Sequence, residues 1–288
     1  MKNIKNDLNG WVVINKPKGI SSAGVVGRLK HLLHPQKIGH AGTLDPLATG
    51  VLPIALGKTT RLIPFVMDDT KTYEFDIKWG IETDTDDLAG NEVKTSDKFP
   101  LKQEILKILP QFKGKIIQTP SPYSAIKIEG KRAYDLARQG KKIDMPSRTI
   151  NIYQLELLKN SKTMASFVAK VSKGTYIRTL AHDIAHALGT VGVVTRLHRL
   201  SDGPFNIEQA VSLEEVKILP MESVLGKLFK LEVSVEISER IKHGQRIKNP
   251  FLIQGVPLSQ PIVIFCEQRA IAIVHVEKGV IHPDCVLV

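Results

Sequence analysis

The stretch GHAGTLDPLATGVLP, residues 39–53, is punctuated by glycines and lies between segments with regular apolar patterns. Its glycines allow tight turns and close backbone approach, so we expect residues 36–50 to form a loop. This loop holds one histidine, His40, and one carboxylate, Asp45. No lysine follows the glycines in the pattern of a phosphate-binding P-loop, which excludes that class of site. On the residue pattern alone, an Asp-Pro pair is also an ordinary helix start, and His40 an ordinary structural histidine.

Regular elements are predicted on both sides of this loop. Alternating apolar side chains indicate strands, and apolar side chains spaced by three and four indicate helices. The predicted strands are residues 10–15, 71–80 and 167–171. The predicted helices are a segment capped by Ser21 or Ser22 and ending near Leu33, residues 101–112, residues 133–138 and residues 179–188. The acidic residues 82–87 predict a turn or an exposed loop, because carboxylates are seldom buried.

Positive charge is concentrated in two parts of this chain of 288 residues, whose net charge is +11. Residues 1–70 carry nine Lys and Arg against four Asp and Glu, and residues 101–200 carry eighteen against six. Residues 71–100 are acidic, with eight carboxylates against four basic side chains. A local basic excess is typical of a surface that binds a polyanion, so nucleic acid is one candidate partner.

Length and patterning favour a main domain followed by a small one. Mixed strands and helices up to residue 225 indicate an α+β or α/β domain over residues 1–225. Residues 226–288 are rich in β-branched runs and predict a small β-rich domain. No apolar run is long enough to cross a membrane and the N-terminus lacks a signal-peptide core, so we expect a cytoplasmic protein. Two cysteines, Cys266 and Cys285, indicate neither a metal site nor a disulfide framework.

Four parts of the sequence together resemble one known family. Residues 39–53 resemble the catalytic motif of the bacterial TruB-type tRNA pseudouridine synthases. Further segments resemble the other motifs of that family in the same order: WVVINKPKGISS at 11–22, KTY at 71–73 with TDTD at 83–86, and KGTYIRT at 173–179. The likeness runs from about residue 10 to residue 210. The order and spacing of the motifs make the resemblance far more specific than a glycine pattern alone.

The resemblance implies a fold, an activity and a partner. The implied fold is α+β, a pseudouridine-synthase domain with a mixed, largely antiparallel sheet, followed by a small PUA-like β domain. The implied reaction is isomerisation of the uridine at position 55 in the T-loop of tRNA, with extrusion of the target base. Moving the ribose C1′ bond from N1 to C5 of the same base requires no redox step, so we expect neither cofactor nor metal. We also expect a monomer that binds the T-arm and loop of tRNA and makes no membrane contact.

The resemblance also assigns roles to individual residues. Asp45 matches the catalytic aspartate and Tyr73 the active-site tyrosine. Arg178 matches the arginine that pairs with the aspartate, and we expect a two-pronged guanidinium contact. The predicted substrate-binding residues are Lys16, His40, Tyr176 and Leu197. On a strand, Tyr176 would point the same way as Arg178, which lies two residues away. The segment 113–148 is expected to cover the T-arm, with the basic side chains Lys113, Lys115, Lys127, Lys131, Arg132, Arg138, Lys141, Lys142 and Arg148.

Other functions fit parts of the sequence. A protein that binds or folds RNA without catalysis fits the charge distribution equally well, although the set of Asp45, Tyr73 and Arg178 favours an enzyme. A hydrolase acting through Asp45 would need a second acid, and the loop offers none. His182 and His186 are spaced as in helical zinc sites, but the sequence lacks the glutamate of that motif and an obvious third ligand. We therefore predict no metal site.

Overall fold

The computed structural model describes residues 6–66, 70–124, 126–128, 130–141, 143–248, 254–255 and 260–288. The strands are β1 Gly10–Lys16, β2 Ile38–His40, β3 Thr49–Leu56, β4 Lys71–Trp79, β5 Ile81–Thr83, β6 Glu92–Thr95, β7 Gly114–Gln118, β8 Lys127–Ile128, β9 Lys131–Arg132, β10 Arg148–Asn160, β11 Met164–Val171, β12 Gly192–Asp202, β13 Phe205–Asn206, β14 Phe229–Glu232, β15 Ile247–Lys248, β16 Ile262–Cys266, β17 Arg269–Glu277 and β18 Val280–Val286. The α-helices are α1 Ser22–Leu33, α2 Ile63–Val66, α3 Lys102–Ile108, α4 Ala133–Arg138, α5 Ile177–Ala187 and α6 Val235–Lys242. Short 3-10 helices occupy Gly57–Leu62, Leu109–Phe112, Ile207–Gln209 and Met221–Lys227.

A central mixed sheet organises the larger part of the chain. Its strands run in the order β1–β3–β12–β4–β11–β10–β7, with β2 paired to β3 and β13 paired to β12. Strands β3 and β12 are parallel, whereas the other neighbouring strands are antiparallel. Along β4 buried residues alternate with more exposed ones, as the sequence predicted. The expected α+β fold with a mixed, largely antiparallel sheet is confirmed.

Helices α1, α3 and α5 share one apolar core with the sheet. The core joins Leu29 of α1, Ile105 of α3 and Ile184 of α5 to Phe75 and Phe167 of the central strands. Each such fully buried large apolar side chain contributes about 1.5–3 kcal/mol to folding. The helices are therefore held firmly against the strands, and their ends provide fixed positions for functional side chains.

Three local predictions differ from the structure. Residues 38–40 form β2 rather than loop, because they pair with β3. The predicted helix 101–112 is α3 followed by a 3-10 turn, where Pro110 lacks the N–H that α-helical bonding needs. Residues 82–87 are not uniformly exposed, since Thr83 and Asp87 are buried. In each case a partner distant in sequence, or the backbone of a single proline, overrides the local pattern.

A second sheet follows residue 228, in the order β14–β16–β17–β18–β15. It agrees with the β-rich texture predicted there, although the division into residues 1–225 and 226–288 stays a prediction. Trp11 and Phe205 of the central sheet belong to the same buried cluster as Phe265 of the second sheet. Apolar burial between the two sheets therefore stabilises both. In the part of the chain that the structure describes, no helix combines the length and apolar content needed to cross a membrane.

Candidate active site

A cleft of about 940 Å³ opens where β4 and β12 meet the 39–53 loop. Among the residues predicted for the site, those that line the cleft are Asp45, Tyr73, Tyr176, Arg178 and Leu197. Lys16 and His40, the other two, are not part of the lining. The tertiary structure thus gathers residues from the loop between β2 and β3, from the central strands β4 and β12 and from the start of α5.

The loop that carries Asp45 is fixed from the side of α1. The Ser22 hydroxyl accepts a hydrogen bond from the Leu44 N–H at 2.8 Å and donates to the Leu44 carbonyl at 3.0 Å. The Ala48 N–H donates to the Asp45 carbonyl at 3.0 Å, closing a turn and not the helix that an Asp-Pro pair can start. The Asp45 side chain is 38% exposed, so its carboxylate faces the cleft while its backbone is held.

Lys16 supports the same loop from within the protein. Its side chain is fully buried, and its ammonium donates to the carbonyls of Ile20 at 2.7 Å, Pro17 at 3.0 Å and Pro46 at 3.4 Å. Burial lowers the pKa of Lys16 to about 8, although the Asp45 carboxylate partly opposes this shift. Lys16 is therefore placed as a positioning residue, and direct substrate binding by Lys16 stays a prediction.

Arg199 is a site residue that the sequence analysis missed. It is buried on β12 and donates from Nε to the Val51 carbonyl at 2.7 Å and from Nη2 to the Gly42 carbonyl at 3.0 Å. Asp202 balances its charge, with Nη1 and Oδ2 3.1 Å apart. Gly42 has a φ of +86°, and a Cβ there would come within 2.6 Å of Asp202 Oδ2, so this position requires glycine. An Arg and an Asp three residues apart are common on surfaces, so the sequence did not indicate this burial.

Arg178 lies in the first turn of α5 and contacts Asp45 through a single nitrogen. Its Nε donates to Asp45 Oδ2 at 2.9 Å, whereas Nη1 donates to the Thr85 carbonyl at 2.6 Å and Nη2 to the Tyr123 carbonyl at 3.1 Å. The predicted ion pair is present, but the predicted two-pronged contact was wrong. Because Arg178 is only 6% exposed, water screens its charge weakly.

Asp87 is a second residue that the sequence analysis missed. It is 5% exposed, and its Oδ2 lies 3.6 Å from Nη1 of Arg178. Its Oδ1 accepts from the Thr85 hydroxyl at 2.8 Å. The expectation of an exposed acidic loop fails here because an arginine from a distant helix pairs with the buried carboxylate. Two carboxylates, Asp45 and Asp87, thus share one guanidinium.

Tyr73 lies on β4 with Arg199 of β12 as its partner in register. Burial raises the pKa of the Tyr73 phenol, and the charge of Arg199 only partly counteracts this effect. The phenol therefore keeps its proton at neutral pH. Tyr73 presents to the cleft both an aromatic ring and an O–H group.

Tyr176 is the residue that precedes α5, so it and Arg178 do not lie on one strand and the condition for a shared direction is not met. Its N–H donates to Gln118 Oε1 at 2.8 Å, and its carbonyl accepts from Gln118 Nε2 at 3.0 Å. The Arg148 guanidinium stands over its ring, 5.5 Å from the centroid. Leu197 of β12, only 6% exposed, adds an apolar part to the lining. The cleft can therefore hold a flat base between aromatic and aliphatic side chains.

His40 of β2 is only partly buried, but its Nδ1 is buried and has no hydrogen-bond partner among the described residues. Burial lowers the pKa of His40, and the charges of Arg199 and Arg132 lower it further. The imidazole is therefore neutral near pH 7 and would contact RNA as a polar ring, not as a cation. Its role in substrate binding stays a prediction.

The chemistry that this cleft offers is that of one carboxylate in basic surroundings. Asp45 is the single carboxylate among the described residues of its lining. The basic side chains of the lining are Lys71, Arg148, Lys173, Arg178 and Arg199. Glycoside hydrolysis normally uses a pair of carboxylates, so the lining does not favour a hydrolase.

The architecture is shared with solved ribonucleoprotein structures. A chain of an H/ACA ribonucleoprotein bound to a substrate RNA containing 2′-deoxyuridine superposes with a TM-score of 0.74, covering 97% of this chain and 85% of that one at 23% identity. A chain of an archaeal box H/ACA ribonucleoprotein gives a TM-score of 0.72, with 97% and 86% coverage and 22% identity. At this identity the likeness shows a shared fold.

Two family models together match residues 30–225, and curated relatives align with almost the whole chain. The model described as TruB family pseudouridylate synthase (N terminal domain) matches residues 30–177, and the tRNA pseudouridylate synthase B C-terminal domain matches residues 178–225. The tRNA pseudouridine synthase B of Bradyrhizobium diazoefficiens is 39% identical over 299 residues, covering 97% of this chain and 86% of that protein. The protein of the same name from Rhodospirillum rubrum is 40% identical over 293 residues, covering 96% and 95%. The chain belongs to the TruB family of pseudouridylate synthases, as its motifs predicted.

Proposed function

We propose that this protein isomerises uridine to pseudouridine at position 55 in the T-loop of tRNA, with Asp45 as the catalytic carboxylate. The observation that carries the proposal is the Asp45 carboxylate, held 2.9 Å from Arg178 Nε beside the buried Tyr73 in a basic cleft. The choice of tRNA rests on membership of the TruB family and on the name shared by its relatives, tRNA pseudouridine synthase B.

The reaction rearranges one nucleotide without gain or loss of atoms. The bond between ribose C1′ and N1 of the base breaks, the base turns, and C1′ joins C5. The proton on C5 leaves, and N1 carries a proton in the product. Asp45 acts either as a nucleophile or as an anion that stabilises developing charge in the transition state. A single carboxylate suffices for either path.

The remaining predicted residues would hold the base and move its proton. We assign stacking and proton transfer to Tyr73, whose phenol keeps its proton at neutral pH because burial raises its pKa. Arg178 would orient the Asp45 carboxylate through the hydrogen-bonded ion pair between them. Tyr176 and Leu197 would contact the base, Lys16 would position the loop, and His40 would contact RNA near the cleft.

A uridine within a folded tRNA loop must leave its stack to reach Asp45. We propose that the segment 113–148 grips the T-arm while this happens. Lys127, Lys131 and Arg132 of this segment line a shallow surface depression and are exposed to solvent, where they suit phosphate contacts. Lys142 and the side chain of Arg138, also predicted here, lie outside the described residues.

Each of the two parts of the chain has its own role in the proposed function. We assign catalysis to residues 1–225, because every residue that lines the cleft falls within them. We assign residues 226–288 to a smaller RNA-contacting domain on the basis of the second sheet. We propose a cytoplasmic monomer, in keeping with a tRNA substrate and two free cysteines, Cys266 and Cys285.

The test is the conversion of an unmodified tRNA transcript, read as pseudouridine formed at position 55. Wild type should convert it, and Asp45→Asn should show no detectable conversion. The affinity of this variant for tRNA should stay within about tenfold of wild type, because the carboxylate acts in the transition state and not in docking. Asp97→Asn, at an exposed carboxylate, is the matched control and should be fully active.

The other outcomes of this experiment distinguish the rival functions. An abasic site in the transcript would identify a hydrolase. Tight binding without any change in the nucleotide would identify an RNA-binding protein. Normal turnover by Asp45→Asn would remove this carboxylate from the mechanism.

A further inference from the structure

Two histidines and a glutamate converge beside the active-site cleft. His182 and His186 stand one turn apart on α5, and their rings stack with centroids 4.1 Å apart. Glu82 of β5 reaches both rings, with Oε2 2.8 Å from Nε2 of His186 and Oε1 3.8 Å from Nε2 of His182. One ligand atom from each of the three residues lies within 4.8 Å of the others. The third ligand that the sequence analysis did not find therefore comes from a strand far earlier in the chain.

We propose that Glu82, His182 and His186 form a binding site for a divalent transition-metal ion of the zinc class. Two imidazoles and one carboxylate are a donor set that zinc uses, and three protein ligands leave one coordination position open. Bonds of 2.0–2.1 Å in a tetrahedron place ligand atoms roughly 3.3 Å apart. The two observed separations, 2.8 Å and 3.8 Å, lie on either side of this value, so small side-chain rotations would complete the site.

The surroundings of His182 support this assignment. Asp183 Oδ1 lies 3.4 Å from Nδ1 of His182, the ring nitrogen that does not face Glu82. A carboxylate on that nitrogen is the usual way in which proteins orient a metal-binding histidine and raise its basicity. Asp86 is a further carboxylate that acts electrostatically on His182. Three carboxylates, those of Glu82, Asp183 and Asp86, therefore act on His182 and favour a bound cation.

An ion can reach these three side chains from solvent. The side chains of Glu82, His182 and His186 are 17%, 30% and 42% exposed. The ligands are thus accessible, yet they belong to α5, which packs in the main core, and to β5, which pairs with β6. A rigid arrangement of this kind lowers the ordering cost of binding.

Metal binding at this place would act on the support of Arg178. The turn after β5 holds Arg178 through the Thr85 carbonyl at 2.6 Å and through Asp87 at 3.6 Å. His182 lies one turn beyond Arg178 on the same helix. An ion bound by Glu82 and the two histidines would therefore tie the turn to the helix and stabilise the folded protein. This inference does not depend on the reaction proposed for the cleft.

The full-length protein is first stripped of metal with a chelator. It is then titrated with ZnCl₂, and the heat of binding is measured by calorimetry. We expect one zinc ion per chain in the wild type. CoCl₂ should give the visible absorption bands of four-coordinate cobalt. Glu82→Gln keeps the size and hydrogen-bonding capacity of the side chain but removes the anionic ligand, and His186→Ala removes an exposed one. Each should weaken zinc binding by about 100-fold or more, since even the loss of an outer hydrogen-bond partner costs about 10–100-fold.

Two further variants make the test specific. Asp183→Asn should weaken zinc binding by about 10–100-fold, because it removes the anionic partner of His182. His243→Ala, at an exposed histidine of the C-terminal region, should bind zinc as the wild type does. Zinc should raise the midpoint of thermal unfolding of the wild type and of His243→Ala, and should shift that of Glu82→Gln much less.

The proposal is overturned if the wild type takes up no zinc. It is equally overturned if Glu82→Gln and His186→Ala bind zinc as tightly as the wild type. The unfolding midpoints of both variants, measured without metal, must show that they are folded. In the first case the three side chains are an ordinary hydrogen-bonded cluster. In the second case the ion binds elsewhere on the protein.

Discussion

Nε of Arg178 lies 2.9 Å from Oδ2 of Asp45, and it is the one guanidinium nitrogen that donates a hydrogen bond to this carboxylate. The other two nitrogens bind the carbonyls of Thr85 and Tyr123. One side chain at the start of α5 therefore fixes the loop that carries Asp45, the turn after β5 and the segment around Tyr123 together. The position of the carboxylate depends on all three contacts.

Arg178→Lys should lower kcat/KM for tRNA by on the order of 100-fold, because a displacement of about 1 Å at a reacting group can cost this much. One ammonium cannot point at Asp45, Thr85 and Tyr123 at once. Arg196→Lys makes the same chemical change in an exposed ion pair with Asp76 and should leave kcat/KM for tRNA nearly unchanged. Near-full activity of Arg178→Lys would show that a point charge beside Asp45 is sufficient.

Tyr73→Phe should lose far more rate than affinity, because the ring that stacks is kept and the hydroxyl that moves a proton is lost. Single-turnover rates and the dissociation constant for tRNA, measured on the same preparations, separate the two effects. Tyr153→Phe, at an exposed tyrosine of β10, serves as the control. If Tyr73→Phe turns over like the wild type and Tyr73→Ala does not, then Tyr73 is a stacking platform only.

Lys16→Met should change the pH dependence of stability. The pKa of Lys16 is about 8 in the folded protein against 10.5 for an ordinary lysine, so the unfolded chain binds more protons between these pH values. Stability that depends on Lys16 therefore rises with pH across this window. Between about pH 8 and pH 10.5, the free energy of unfolding of the wild type should rise by up to roughly 3 kcal/mol relative to that of Lys16→Met.

Urea unfolding of both proteins across this pH range measures the gain. Lys18→Met, at an exposed lysine two residues away, should show no comparable trend. If the difference in free energy of unfolding between wild type and Lys16→Met stays constant with pH, then the buried amine does not titrate in this window.

Neutralising Lys127, Lys131 and Arg132 together should weaken tRNA binding and flatten its salt dependence. Each phosphate contact that is lost removes about one unit of slope, so the three changes remove up to about three units. The measurement is the dissociation constant for tRNA at several salt concentrations. Lys94, Lys102 and Lys107, exposed lysines outside the segment, provide a control of equal charge. An unchanged slope and affinity would place the RNA surface elsewhere, with residues 1–70 as the next candidate.

The sequence predicted the elements of the fold wherever the pattern was local. The alternation in 71–80 predicted β4, and the serine followed by spaced apolar residues predicted α1. It failed where a distant contact decides, as at residues 38–40, which become a strand only because β3 lies beside them. The helix predicted over 179–188 begins two residues earlier, at Ile177, because short segments carry little information about where a helix begins.

The family, the fold class and the candidates Asp45, Tyr73 and Arg178 could all be predicted from the amino-acid sequence, because each is carried by a short motif of consecutive residues. Which charged side chains are buried, and what they pair with, became visible only in the folded chain. Asp87 and Arg199 look like surface residues in the sequence, yet both are buried at the site. Burial of a charge is tolerated when a partner from another segment offsets its lost hydration, and the chain brings such partners together only when it folds.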